Sequence, residues 1–81
     1  MQAEQLKQLI EEAVASTEVT VQGDGDHFDA TVVSADFEGK SMVQQHQMIY
    51  AALGDLLQKE IHALALHTFT PAQWASQRRI Q

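Results

Sequence analysis

Four histidines, His27, His46, His62 and His67, are the residues of this sequence best suited to bind a metal or carry a proton near neutral pH. A neutral imidazole coordinates zinc or iron through one nitrogen while a hydrogen bond holds the other. There is no Cys. Thiolate nucleophiles, disulfides and Cys-based zinc or iron–sulfur sites are therefore excluded for this chain alone. Each histidine also has an ordinary role. His46 suits a packed position on a helix, and His67 falls on the opposite side of its strand from His62, where it can face water. His27 adjoins a turn. Two imidazoles from one chain do not fill a cluster site, so a partner would have to supply thiolates.

Other chemistries lack their parts. Gly23-Asp24-Gly25 has no third Gly and lies between two strands rather than before a helix, so it is no phosphate loop. No His-Glu-x-x-His pair occurs. Ser34 and Ser41 have no evident His and Asp partners. Asp24 and Asp26 resemble the start of a calcium loop, but the later Gly and Glu are missing, and the pair reads as turn-forming.

The elements that must place the histidines follow from periodicity. His62 and His67 lie in Ile61–Pro71, the stretch around which the rest is organised. Ile61, Ala63, Ala65 and Phe69 fall on one side and His62, Leu64 and Leu66 on the other, which predicts a strand buried on both faces. Thr70-Pro71-Ala72-Gln73 then starts a closing helix, with Thr70 as cap and Gln73 at the capping-box position. Upstream, Leu6, Leu9, Ile10, Ala13 and Val14 mark an amphipathic helix over 3–15. Residues 18–22 and 27–34 alternate and predict an antiparallel hairpin with a flexible acidic tip at 23–26. Gly39 suits a conformation closed to other residues. Ser41 caps a helix over 42–53, whose apolar side is expected to be Met42, Val43, Ile49, Tyr50 and Leu53. Gly54 breaks it, and 55–60 forms a short third helix. The order is α-β-β-α-α-β with a short closing helix: one α+β domain, 1–81, with a three-stranded sheet and helices on one face.

Charge narrows the partners. The formal net charge is −6. Residues 1–38 carry nine carboxylates against the single base Lys7. Affinity for nucleic acid comes chiefly from Lys and Arg, so this balance favours a protein or metal partner. No basic-then-apolar leader and no apolar run of about 18 residues is present, which predicts a cytoplasmic protein without a membrane partner.

Several runs together carry a resemblance: Val32 to Ser41, containing Phe37-Glu38-Gly39-Lys40-Ser41; Gln45 to Tyr50; Ile61-His62-Ala63-Leu64; and Thr70-Pro71. In this combination and spacing they resemble the BolA family over residues 28–74. The resemblance implies an α+β fold similar to the type II KH domain. It also implies a non-enzymatic adaptor that binds a monothiol, CGFS-type glutaredoxin and shares a bridging [2Fe–2S] cluster with it. Such an adaptor would serve iron–sulfur trafficking or iron and acid-stress signalling.

In that family the histidine of the Ile/Val-His-Ala motif is a cluster ligand, and it falls on His62. A second ligand, Cys or His, comes in other members from the loop joining the first two strands; His27 is the nearest candidate here. The glutaredoxin and its glutathione would supply the sulfur. Imidazole in place of thiolate on one iron raises the cluster potential and makes that ligand protonatable.

The sequence departs from the family in one respect. Many members carry Arg-His-Arg in the second helix, where this chain has Gln45-His46-Gln47. The Gly-x-x-Gly loop of classical KH domains is also absent. Both points, with the charge, count against the alternative reading as a nucleic-acid-binding transcriptional regulator. Homodimerisation through an uncovered sheet edge is a lesser alternative.

Overall fold

Three strands and the helices packed on them account for the architecture. The structure is a computed structural model describing residues 2–23, 27–59, 61 and 63–79. Helix α1 spans Ala3–Ala13, strands β1 and β2 span Ser16–Gly23 and His27–Ser34, and one 3-10 turn covers Ala35–Phe37. Helices α2 (Met42–Leu53) and α3 (Leu56–Lys59) follow, then β3 (Ala63–Phe69) and α4 (Pro71–Arg79). The expected element order and α+β class are present. The first helix is shorter than 3–15, and the first strand runs beyond 18–22 at both ends. The expected hairpin tip lies mostly outside the described residues, at 24–26.

The sheet order is β1-β2-β3. β1 and β2 are antiparallel, with Val19 opposite Val32 and Val21 opposite Ala30. β3 joins β2 in parallel, with His27 opposite Ala63, Ala30 opposite Leu66 and Val33 opposite Phe69. β2 is thus the central strand and β3 lies at an edge. This corrects the expectation of a strand at 61–71 buried on both sides. β3 begins at Ala63; along it Leu66 and Thr68 are buried, Leu64 is half-buried, and Ala63, Ala65 and His67 are exposed. Alanine reads as apolar in a pattern yet has little surface to hide, so Ala63 and Ala65 leave that face open at small cost.

Phe28, Ala30 and Val32 of β2 face a core that also takes Leu6 and Ile10 of α1, Ile49 and Leu53 of α2, and Phe37. Leu6, Ile10, Phe37 and Ile49 are wholly buried. Burying such side chains contributes about 1.5–3 kcal/mol each relative to exposure.

Local chemistry sets the boundaries of α2. Ser41 Oγ accepts from Gln44 N–H at 3.2 Å, and Gln44 Oε1 accepts from Ser41 N–H at 2.9 Å, a reciprocal capping box. At the other end Gly54 has φ of 55° and its N–H donates to Tyr50 O. Gly39, at φ of 79°, makes the turn before the cap as expected. The Thr70 and Gln73 box also forms, with bonds of 2.9 and 3.2 Å. Trp74 of α4 packs on Phe69 with ring centroids 5.2 Å apart.

The face of α2 differs from expectation. Met42 and Val43 are each 66% exposed and Tyr50 is 38% exposed. Gln45, a polar residue, is buried instead beside Ile49 and Leu53.

Candidate metal-ligating site

The polar contacts that hold the sheet gather at one end. Ser34 Oγ donates to Ala15 O at 2.7 Å and accepts from Asp36 N–H at 3.0 Å. Asp36 Oδ2 in turn accepts from Ala15 N–H at 3.0 Å. The exit of α1 is therefore pinned to the exit of β2. Beside this, Gln45 Nε2 donates to Phe37 O and Lys40 O at 3.2 and 3.0 Å, and its Oε1 accepts from Thr68 Oγ1 at 2.7 Å. Both side-chain atoms of Gln45 are satisfied, which is what permits its burial. Nothing in hydrophobic periodicity signals this clamp. A nearby hollow is lined by Lys40, Met42, Gln45, Thr68, Phe69, Gln73 and Gln77. It holds no imidazole or carboxylate.

The candidate ligand His27 belongs to the opposite end. His27 opens β2 and is exposed. Its partner across the parallel ladder is Ala63, the residue that follows His62 in the chain. His62 itself lies outside the described residues. Its two covalent neighbours are described: Ile61 is 5% exposed and Ala63 is exposed. Parallel pairing thus brings His27 alongside a residue far removed in sequence. A shallow depression here is lined by Gln22, Gly23, His27, Phe28, Asp29 and Ala65. Gly23 permits the tight approach, since a Cβ there would stand 2.5 Å from Phe28 Cδ1 and would overlap the His27 carbonyl.

The other histidines are placed apart. His67 Nε2 lies 3.5 Å from Asp29 Oδ1, with both side chains more than half exposed. His46 sits edge-on to Tyr50, with ring centroids 6.2 Å apart. Among the described residues, no three His, Cys, Asp or Glu side chains converge to hold a metal. At this end of the sheet the described residues therefore offer the imidazole of His27 and no thiolate.

Among the described residues, no helix is long and apolar enough to cross a membrane.

The family model described as BolA-like protein matches residues 5–73. The chain is 33% identical over 81 residues to the acid stress protein IbaG of Escherichia coli (strain K12), covering 99% of this chain and 96% of that protein. It is 50% identical over 56 residues to the DNA-binding transcriptional regulator BolA of Haemophilus influenzae, a match spanning 69% of this chain and 54% of that protein. A solved structure of a BolA protein homologue from Coxiella burnetii superposes with a TM-score of 0.82 at 38% identity, covering 93% of this chain and 97% of the other. The α-β-β-α-α-β order, the Ile61-His62-Ala63 run and these matches agree, and the chain belongs to the BolA-like family.

Proposed function

We propose that this protein is a BolA-like adaptor that shares a bridging [2Fe–2S] cluster with a monothiol, CGFS-type glutaredoxin, His62 and His27 being its ligands. The observation that carries the reading is the parallel register of His27 with Ala63, next to His62. Two imidazoles the sequence separates widely are candidates for one centre only if the fold brings their backbones together. The absence of Cys supports the same reading, because the glutaredoxin and its glutathione supply the sulfur this chain lacks.

The chain's own contribution is positional. The ladder between β2 and β3 fixes the backbone of His27, and the buried Ile61 anchors the chain on the other side of His62. Such an adaptor serves iron–sulfur trafficking or iron and acid-stress signalling rather than catalysis. When bound, the cluster supplies an iron whose nitrogen ligand can be protonated and released.

The test is a titration of the protein into reconstituted glutaredoxin, followed by visible absorption and circular dichroism. Wild type is expected to change the cluster spectrum, and His62→Ala to lose that change. A His62→Ala spectrum and affinity equal to wild type would sink the ligand assignment; the same comparison with His27→Ala judges the second ligand.

The name of the Haemophilus influenzae relative favours a second reading, a DNA-binding regulator. Net charge of −6 and a second helix without Lys or Arg oppose it. Gel shifts across a salt series separate the two: binding that survives near physiological salt supports the regulator, and binding lost on modest salt addition dismisses it.

A further inference from the structure

Helix α2, Met-Val-Gln-Gln-His-Gln-Met-Ile-Tyr-Ala-Ala-Leu, contains no Asp, Glu, Lys or Arg. One residue in five of the whole chain is charged (20%). Half of this helix faces water all the same. Met42, His46 and Tyr50 recur every four residues and line one flank, with Val43 beside them. Met42 and Val43 are the most exposed large apolar side chains described, and the His46 and Tyr50 rings meet edge-on. A folding helix has no need of such a flank. Solvent-facing helix positions ordinarily carry charge, and apolar surface left there marks contact with another molecule.

The flank does not end on the helix. Tyr50 also lines a groove with Leu57, Ile61, Ala63 and Leu64. Ile61 and Ala63 are the covalent neighbours of His62. The apolar flank is therefore continuous, through Tyr50, with the exposed Ala63 that follows the candidate ligand in the chain. A metal centre shared by two molecules holds donor atoms of both within about 2 Å of a metal ion. A partner contributing sulfur to a centre at His62 must then lie over Ala63, and its adjoining surface falls on the groove and flank.

We infer that the α2 flank of Met42, Val43 and Tyr50, with the groove ending at Ile61 and Ala63, is the docking surface of the sulfur-donating partner. This inference rests on the proposed cluster-sharing role and assigns where on the chain the partner sits. A second copy is the poorer occupant, because it would bring two chains of net charge −6 together. The surface has the form of a protein interface: apolar anchors at the centre, with the exposed amides of Gln44 and Gln47 as a polar rim.

The test uses the full chain carrying Met42→Ser, Val43→Ser and Tyr50→Ser together, with far-ultraviolet circular dichroism to establish folding. Val43→Lys alone, at an exposed position, serves should the triple variant unfold. Each is titrated into glutaredoxin holding its glutathione-ligated [2Fe–2S] cluster, and visible circular dichroism reads the complex. The triple variant is expected to reach the wild-type end-point spectrum with a midpoint about tenfold or more higher, the cost of removing central apolar anchors. Val43→Lys is expected to shift the midpoint in the same direction.

Midpoints equal to wild type, with a spectrum that still depends on His62, would overturn the docking surface and leave the ligand assignment standing. No spectral change with wild type would overturn both. Sedimentation showing a wild-type dimer that these substitutions dissociate would give the flank to a second copy and overturn the inference.

Discussion

The two ends of the central strand β2 are built differently. At its exit, Ser34, Asp36 and Ala15 form a closed set of hydrogen bonds, and Gln45 joins Thr68 to the carbonyls of Phe37 and Lys40. At its entry, His27 is exposed and faces Ala63 across the ladder. One end uses the side chains of Ser34, Asp36, Gln45 and Thr68 on the protein itself, and those of Ser34, Gln45 and Thr68 are buried because their partners satisfy them. The other end presents an imidazole outward on a backbone that the ladder already fixes. A ligand needs both properties: a rigid base, and a donor atom that can reach a partner. Stability is concentrated where no chemistry is proposed, so substitutions at the two ends should have separable consequences.

The largest expected effect tests the tied end. Phe37→Ala removes a wholly buried ring and should lower stability by about 3–5 kcal/mol in urea denaturation. Next comes Gln45→Leu, which keeps the volume near that of Gln but takes the acceptor from the Thr68 hydroxyl and the side-chain donor from the Lys40 carbonyl, while the Phe37 carbonyl keeps the Lys40 N–H. It should cost about 1–3 kcal/mol by the same measurement, and Thr68→Val in that background should restore part of the loss. The smallest effect belongs to the open end. Asp29→Asn weakens an exposed pair with His67 and should change stability by less than about 0.5 kcal/mol. A loss from Asp29→Asn as large as that from Gln45→Leu would erase the contrast between the two ends.

Signals that act over a few residues were legible in the sequence. Ser41, Gly39, Gly54 and the Thr70 and Gln73 pair do what their types and spacing demand, because a cap or a positive φ is a local matter. Most of the strand His27–Ser34 was legible for the same reason: its alternation matches its burial from His27 to Val32, whereas Val33 and Ser34, next in the run, are both buried.

What escaped was decided by tertiary contact. Gln45 takes a core position that apolar periodicity assigned to Met42 and Val43, since its amide finds partners only once β3 and the turn after β2 are in place. The edge position of β3 escaped too, because Ala63 and Ala65 look the same in a buried and an exposed face. His27 was reached through a family likeness to a loop ligand. Its pairing with Ala63 depends on a parallel register that no nearby residue announces.

That parallel register has a consequence for how the protein comes into being. The β1–β2 hairpin can close as soon as its own residues exist, but β3 reaches β2 only after the whole of α2 and α3 has been made and folded back. Pairings between such distant segments form slowly and late, because the intervening chain must first give up its freedom. A nascent or partly unfolded chain would therefore lack the pairing of His27 with Ala63, and the metal capture proposed above would be reserved for molecules that have completed their fold.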